Sequence, residues 1–386
     1  MYGNRSIVRD HSAPPIAIFD SRVSLEGEKG YDAEAAVKRK FTDGQHFEAK
    51  LHEHVWLKDY LETKDGQRIF YMEWGKRGGT PFVFFHGGPG DSFYLSHIKL
   101  FNPDTDHVLF FDQRGCGESR PKASTLSEED IVKTGRPEQI VDDTEKLIGI
   151  VFGSSKVNLV GGSWGTTISL LYAEAHPERT KSMVFWATYL AGHAETDAMF
   201  SDRSKDETFP YQAQWKEFID HVPNTDVDKY TNGKIDPHKV ANFFAKMVSL
   251  PDKEIALFYA KAFYRWELTL CSPEDFEKVW KHLTEDPDQT IAGARIELLY
   301  HKHHTMLTDG EILNNVKKIN HIPCFIVQGD RDYCTPTEYA IQLKRAYGDK
   351  CIVEEVHGGH IRDDEQVNAA IRRNLNHVRE AHLKKK

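Results

Sequence analysis

The sequence predicts an α/β protein, with a mostly parallel sheet flanked by helices and an all-helical cap inserted between the two halves of the sheet. Three observations predict it. Short β-branched or aromatic runs alternate with stretches of helical spacing from about residue 80 to residue 189. That rhythm stops over residues 190–319, where strand signals vanish and aromatic-rich helical stretches take over, and it resumes at Ile322. A serine between glycines, Gly161-Gly162-Ser163-Trp164-Gly165, falls where a strand runs into a helix.

Taken in order, residues 1–50 are polar and charged without sustained periodicity, and they read as a loosely ordered extension carrying no chemistry. Residues 54–62 and 68–73 alternate across Thr63-Lys64-Asp65-Gly66, which predicts a β-hairpin. Strands follow over 81–85 and 107–112, then a helix over 139–152. The stretch Lys156-Val157-Asn158-Leu159-Val160 ends a buried strand at Gly161, and 164–175 has apolar residues at helical spacing before His176-Pro177 stops it. A strand over 181–186 closes this half of the core, residues 51–189. Within the cap, 190–319, helices are expected over 241–249, 254–270 and 273–282. The second half of the core, 320–386, offers strands over 322–328 and 351–357 and helices over 337–346 and near 364–380. Lys384-Lys385-Lys386 reads as a solvated tail.

With 386 residues, 39% of them hydrophobic, the chain is long enough for one large α/β domain with an insertion. A formal net charge of −9 leaves no basic surface for nucleic acid. Five cysteines without C-x-x-C spacing fit a reduced, cytosolic protein better than a disulfide framework. The N-terminal stretch Met1-Tyr2-Gly3-Asn4-Arg5-Ser6 has no apolar core of signal-peptide length and nothing downstream approaches a membrane span, so a cytoplasmic protein without membrane partners is expected. The sequence does not indicate an oligomeric state.

A serine at a strand-to-helix corner is the nucleophile elbow of an α/β-hydrolase, where a tight turn demands small neighbours and lifts the hydroxyl clear of the sheet. Ser163 then needs a histidine to accept its proton and an acid to hold that histidine, in the chain order Ser, Asp, His. Gly329-Asp330-Arg331-Asp332 after the 322–328 strand offers two acids, and His357-Gly358-Gly359-His360 after the next strand offers two histidines. The glycines before His360 leave it in a free loop that can reach Ser163, whereas His357 reads as the end of the strand. Two backbone N–H groups must hold the oxyanion. Trp164 supplies one, and Gly88, in His86-Gly87-Gly88-Pro89-Gly90, supplies the other. No Gly-Lys-Ser/Thr follows that loop, which argues against phosphate binding.

Together His86-Gly87-Gly88-Pro89-Gly90, Asp112-Gln113-Arg114-Gly115-Cys116-Gly117-Glu118-Ser119 and Gly161-Gly162-Ser163-Trp164-Gly165 closely resemble proline iminopeptidases (prolyl aminopeptidases), from about Leu51 to the C-terminus. The resemblance implies a serine peptidase that releases an N-terminal residue, preferentially proline, from peptides with a free N-terminus. It selects Asp332, which matches the end of the family's Gly-Arg-Tyr-Asp segment, and His360, which closes its Gly-x-Gly-His segment. It also implies that Glu267, in Trp266-Glu267, and Glu297, in Ala294-Arg295-Ile296-Glu297, bind the substrate's amine from the cap. Phe263, Tyr264 and Trp266 are candidates to wall a pyrrolidine ring. Leu298-Leu299-Tyr300, Asp91 and Ile361 depart from the family pattern, and they bear on pocket shape. An esterase or amidase on the same scaffold is the alternative, separated by its indifference to a free amine. Epoxide hydrolases and dehalogenases need an aspartate where this chain has Ser163. No cofactor is expected. Zinc sites built on helices usually space histidines on one face, and no cysteine or carboxylate completes a set with His301, His303 and His304, so no metal is expected either.

Overall fold

In the computed structural model, residues 32–43, 46–271, 276–361 and 364–384 are described. One sheet of eight strands organises them: β1 (Val55–Glu62), β2 (Arg68–Gly75), β3 (Thr80–Phe85), β4 (Asp106–Phe111), β5 (Val157–Ser163), β6 (Thr180–Thr188), β7 (Cys324–Gly329) and β8 (Cys351–Val356). Their order is β8-β7-β6-β5-β3-β4-β2-β1. The pairs β1–β2 and β2–β4 are antiparallel, and the others are parallel. Parallel strands are covered on both faces, which is why they read as continuous apolar runs. In β3, Val83 and Phe85 enter one core layer while Phe82 and Phe84 enter the other.

Helices cover both faces. α1 (Ala33–Lys40) lies on the Phe82/Phe84 side, and α2 (Pro137–Phe152) and α3 (Trp164–Ala175) on the other. α2 buries Ile140, Val141, Thr144, Leu147 and Ile148 at helical spacing, starts on Pro137 and stops at Gly153 with φ +59°. Each fully buried aliphatic side chain there contributes about 1.5–3 kcal/mol. Between β6 and β7 run α4 (His193–Ala198), α5 (Gln212–Asp220), α6 (Pro237–Val248), α7 (Lys253–Cys271), α8 (Phe276–Thr284) and α9 (Pro287–Lys302). Then α10 (Thr337–Tyr347) precedes β8, and α11 (Glu365–Leu383) closes the chain, burying Val367, Ala370, Ile371, Leu375 and Val378. Among the described residues, no helix is long and apolar enough to cross a membrane.

Two expectations are corrected. The insertion is not all-helical, because Tyr230–Thr231 pairs antiparallel with Lys234–Ile235. Asn232 and Gly233 turn that hairpin with φ of +53° and +72°, as a two-residue turn requires. The second correction concerns the proposed extension, whose residues 1–31 lie outside the described ones. Its last part is folded into the core: Ala36, Val37 and Phe41 are buried, and Thr42–Asp43 pairs with His46–Phe47. Eight residues of helix with few apolar side chains are too short for a periodic signal.

That helix also carries a buried cation. Lys40 Nζ donates to Asp112 Oδ2 at 2.7 Å, to Asp112 Oδ1 and the Phe93 carbonyl at 3.0 and 3.1 Å, and to Ser92 Oγ. Next to it, Arg39 donates to both oxygens of Glu118 at 2.6 and 2.7 Å. Removing one partner of a buried pair typically costs about 3–5 kcal/mol, because the other charge is stranded. Lys40→Ala is therefore expected to lower the unfolding free energy by about that amount in a denaturant titration. A loss below about 1 kcal/mol, the level of an exposed pair, would mean that Ser92, Phe93 N–H and Glu118 N–H hold Asp112 unaided.

Candidate active site

Strand ends bring the site together at the carboxyl edge of the sheet. β5 ends on Ser163, whose backbone at φ +55°, ψ −127° is the strained conformation of an elbow. The flanking glycines are there for close approach. A Cβ on Gly162 would lie 2.1 Å from the Trp186 ring, and one on Gly165 would lie 2.3 Å from the Phe85 carbonyl. Trp164 opens α3, so its N–H belongs to the first turn, where helix donors lack intrahelical partners.

The loop after β3 lies against this corner. A Cβ on Gly87 would sit 3.6 Å from Ser163 Cβ, and Gly88 follows with φ +100°. Gln113 ties the loop to the elbow: its N–H donates to His86 Nε2 at 2.9 Å, its Nε2 donates to the His86 carbonyl at 3.0 Å, and its Oε1 accepts from Trp164 Nε1 at 2.9 Å. With Nε2 accepting, His86 Nδ1 carries the proton and donates to the Gly87 carbonyl at 3.0 Å. Burial pushes the His86 pKa down, which suits a neutral structural ring. Neither Gln113 nor His86 was singled out for this role by the sequence, since a bracing contact leaves no local signature.

The two acids and two histidines sort into separate pairs. His360 Nδ1 donates to Asp332 Oδ2 at 2.9 Å, and both side chains are nearly buried. Asp330 accepts instead from His357 Nδ1 at 3.0 Å and Gly358 N–H at 3.1 Å, at the surface. Both oxygens of Asp332 are engaged. Its Oδ1 accepts from the N–H groups of Cys334 and Thr335 at 3.0 and 2.8 Å, and its Oδ2 accepts also from Thr335 Oγ1 at 2.8 Å and Gln328 Nε2 at 3.2 Å. Burial opposes a charge on His360, but Asp332, the Cys334 sulfur and Glu267 push its pKa up to about 9.

Glu267 on α7 and Glu297 on α9 meet beside that histidine. Burial and then Glu267 push the Glu297 carboxyl well above the usual range, so Glu297 keeps its proton and donates it to Glu267. For Glu267 burial is again the largest cause, offset by the Glu297 hydrogen bond and by His360 and raised further by Asp91, with the outcome at about 7. Asp91, which departs from the family pattern, thus adds a third carboxylate to this field, and its Oδ1 accepts from Tyr94 O–H at 2.5 Å. Of the candidate ring walls, Tyr264 is buried near these carboxylates. Phe263 stacks on Phe200, and Trp266 packs on Trp215 and Phe218, so these two are helix-packing core.

One neighbour went unforeseen. The Cys271 thiol, at the end of α7, hydrogen-bonds with Cys334, and both sulfurs lie within 4.8 Å of a ring nitrogen of His360. Its nearness is purely tertiary, since Cys334 and His360 lie 63 and 89 positions further along the chain and nothing local marks Cys271.

Residues 80–362 match the α/β hydrolase fold family. A proline iminopeptidase of Neisseria meningitidis is 34% identical over 289 residues, 75% of this chain and 85% of that protein. The chain belongs to the proline iminopeptidase family. A proline iminopeptidase of Arabidopsis thaliana is 29% identical over 313 residues, covering 81% of this chain and 77% of the relative. Among solved structures, a proline iminopeptidase-related protein from Thermus thermophilus superposes with TM-score 0.51 at 16% identity, over 84% of this chain and 97% of that one. An α/β hydrolase from a deep-sea metagenome library reaches TM-score 0.54 at 15% identity, over 82% and 96%. These two similarities bear on the fold. As a member of this family the chain is a hydrolase.

The pairing of acids and histidines predicts unequal mutants. Asp332→Asn is expected to cut hydrolysis by orders of magnitude, since an amide at this position favours the wrong histidine tautomer, a loss of about ten-thousand-fold in chymotrypsin-type enzymes. Asp330→Asn should stay within a few-fold, because Asp330 touches His357 and the Gly358 N–H at the surface, and an asparagine oxygen can still accept from both. Steady-state rates ranked the other way would move the acid to Asp330.

Proposed function

We propose that this chain is a serine aminopeptidase that releases an N-terminal residue, preferentially proline, from peptides. The observation that carries the reading is the Glu267–Glu297 pair beside His360. Two carboxylates sharing a proton in a buried site are costly unless a cation joins them. A protonated prolyl nitrogen has two N–H donors, one for each carboxylate. The relatives named as proline iminopeptidases support the preference for proline.

In this mechanism Ser163 Oγ attacks the first peptide carbonyl while His360 Nε2 takes its proton. Asp332 holds the tautomer through Nδ1 and stabilises the imidazolium. The N–H groups of Gly88 and Trp164 receive the oxyanion. His360 then protonates the leaving amine, and a water, activated by the same histidine, hydrolyses the acyl-enzyme. The helical insertion serves as a cap that meets the substrate's amino end. A reducing cytoplasm suits the Cys271–Cys334 thiol pair. The second reading is an esterase or amidase for which the two glutamates are only structural.

Ser163→Ala is expected to remove nearly all hydrolysis of a prolyl-arylamide with the fold intact, a loss on the order of a million-fold for a nucleophile of this kind. Near-normal activity in the purified variant would remove Ser163 from the mechanism.

Glu267→Gln and Glu297→Gln separate the two readings. Truncating one partner of a buried charged pair costs roughly 2–5 kcal/mol, so kcat/KM for the prolyl-arylamide should fall at least tens-fold. A small neutral ester should be cleaved almost normally near the pH optimum, and N-acetylated peptides should resist the wild type. The ester also reports His360 directly. Anionic Glu267 raises the His360 pKa, so Glu267→Gln should move the alkaline rise in ester kcat/KM from about 9 to lower pH. Equal losses on both substrates, or an unmoved profile, would leave a hydrolase without amine recognition.

A further inference from the structure

Away from the proposed catalytic residues, the fold gathers histidine and carboxylate side chains that the sequence keeps far apart. His301, His303 and His304 are neighbours in the chain, but they turn in different directions. The buried His301 meets the Thr196 carbonyl through Nδ1 at 3.2 Å, and His303 Nε2 lies 3.3 Å from Glu128 Oε1. His304 instead meets Asp197 on α4 and His238 on α6. The expectation that no carboxylate completes a set for these histidines is therefore corrected for His304, because α4 brings Asp197 to it.

We propose that His238, His304 and Asp197 form a binding site for a late first-row divalent cation such as zinc, with a water completing the coordination. Their three ligand atoms all lie within 4.8 Å of one another. His304 Nε2 is 3.2 Å from Asp197 Oδ1. Ligands held tetrahedrally at 2.0–2.1 Å from zinc are roughly 3.3 Å apart, so this pair already has the spacing of two vertices. The His238 and His304 ring centroids are 5.4 Å apart, with their planes 24° from parallel. Two imidazoles sharing one zinc at the tetrahedral angle place their centroids roughly 5.2 Å apart, so the spacing suits a shared cation, and one ring would turn about its own axis to bring the metal into both ring planes. Two imidazole nitrogens with one carboxylate suit zinc and its neighbours in the series better than calcium or magnesium, which prefer all-oxygen shells.

Two independent features point the same way. His238 Nδ1 is buried and has no hydrogen-bond partner among the described residues, which is unusual for a ring nitrogen in a folded interior. His304, Thr305 and Met306 have φ of +46°, +56° and +58°, three successive non-glycine residues in the left-handed region. Such conformations are costly and persist where the surroundings fix them, commonly at ligand clamps. Here they aim His304 back towards α4 and α6 at the end of α9. His193 stacks on His304 at 4.2 Å and 16°. His193 is thus a buttress, held by its Nε2 at 3.2 Å from the Leu307 carbonyl. A cation here would clasp α4, where the insertion leaves the sheet, to the turn after α9, where the chain starts back.

The test uses the full-length, untagged chain stripped with a chelator and titrated with Co²⁺ and then Zn²⁺. One equivalent of Co²⁺ should give visible d–d bands of a low-coordinate N/O site, without the thiolate-to-cobalt charge-transfer band, and Zn²⁺ should displace it. His238→Gln, His304→Gln and Asp197→Asn should each weaken Zn²⁺ binding by more than about tenfold, since loss of even an outer partner of a metal ligand costs 10–100-fold. Zn²⁺ should raise Tm in the wild type and not in these variants. If the strained turn makes His304→Gln fail to fold, His238→Gln and Asp197→Asn decide the matter, with circular dichroism as the check on folding. Three results would overturn the site: no binding below about 1 mM, binding unchanged in the variants that fold, or a charge-transfer band placing the metal at Cys271 and Cys334.

Discussion

The end of α7 is the constraint on which the site depends. A helix leaves its last carbonyls without partners, and a buried one left unsatisfied costs about 1–3 kcal/mol. Here the Leu270 carbonyl accepts from Tyr333 N–H at 3.2 Å, and the Cys271 carbonyl accepts from His360 N–H at 2.9 Å. Both donors sit in the loops after β7 and β8, so the inserted helix is capped by the segments that carry Asp332 and His360. Gly359 makes that approach possible, because a Cβ there would lie 2.8 Å from the Cys271 carbonyl. Glu267 stands one turn before Cys271 on the same helix face, and the docking fixes it beside His360.

α9 is pinned by a second close approach. A Cβ on Gly90 would lie 2.5 Å from the Gly293 carbonyl, and one on Gly293 would lie 2.4 Å from Tyr264 Oη. Glu297 follows Gly293 by four residues, again on the contacting face. On the other side Arg295 donates to the carbonyls of Ala123 and Leu126 at 2.8 and 2.6 Å, which sets the rotation of the helix. Each glutamate is thus one turn from a backbone contact with the core. A change at Gly359 or Gly293 would act on the carboxylates without touching them, through the axial position of their helices.

What was legible in the sequence follows from how local each signal is. The elbow, the Gly-rich loop and every strand of the main sheet were readable, because their residues impose backbone conformation or a buried apolar run within a few positions. The acid of the proposed triad was not readable from residues alone: Asp330 and Asp332 share one loop, and only the resemblance selected Asp332. The two pairs Asp332–His360 and Asp330–His357 depend on which side chain turns inward after β7. α9 escaped delimitation for a different reason. Every residue from Thr290 to His301 is buried, so no polar face produced a period. Asp197, His238 and His304 come together from three elements, as do Cys271, Cys334 and His360, and no spacing rule reaches across such distances.

Electrostatics then joins recognition to chemistry on the proposed reading. Without substrate, the carboxylates around His360 favour its imidazolium, a form that cannot accept the Ser163 proton. An ammonium that binds the pair while Glu297 keeps its proton offsets the negative charge of Glu267, so the histidine's pKa falls as the amine arrives. Linkage makes the effect reciprocal: deprotonating His360 strengthens binding of the cation by the same factor. A peptide whose amino end is blocked forfeits both terms. It lacks the contact with the carboxylates, and it also meets a base still carrying its proton, so discrimination falls on the acylation rate as well as on binding. On that reading Glu267 acts on the reaction through charge on His360, one turn of α7 away from the carbonyl that holds that residue in place.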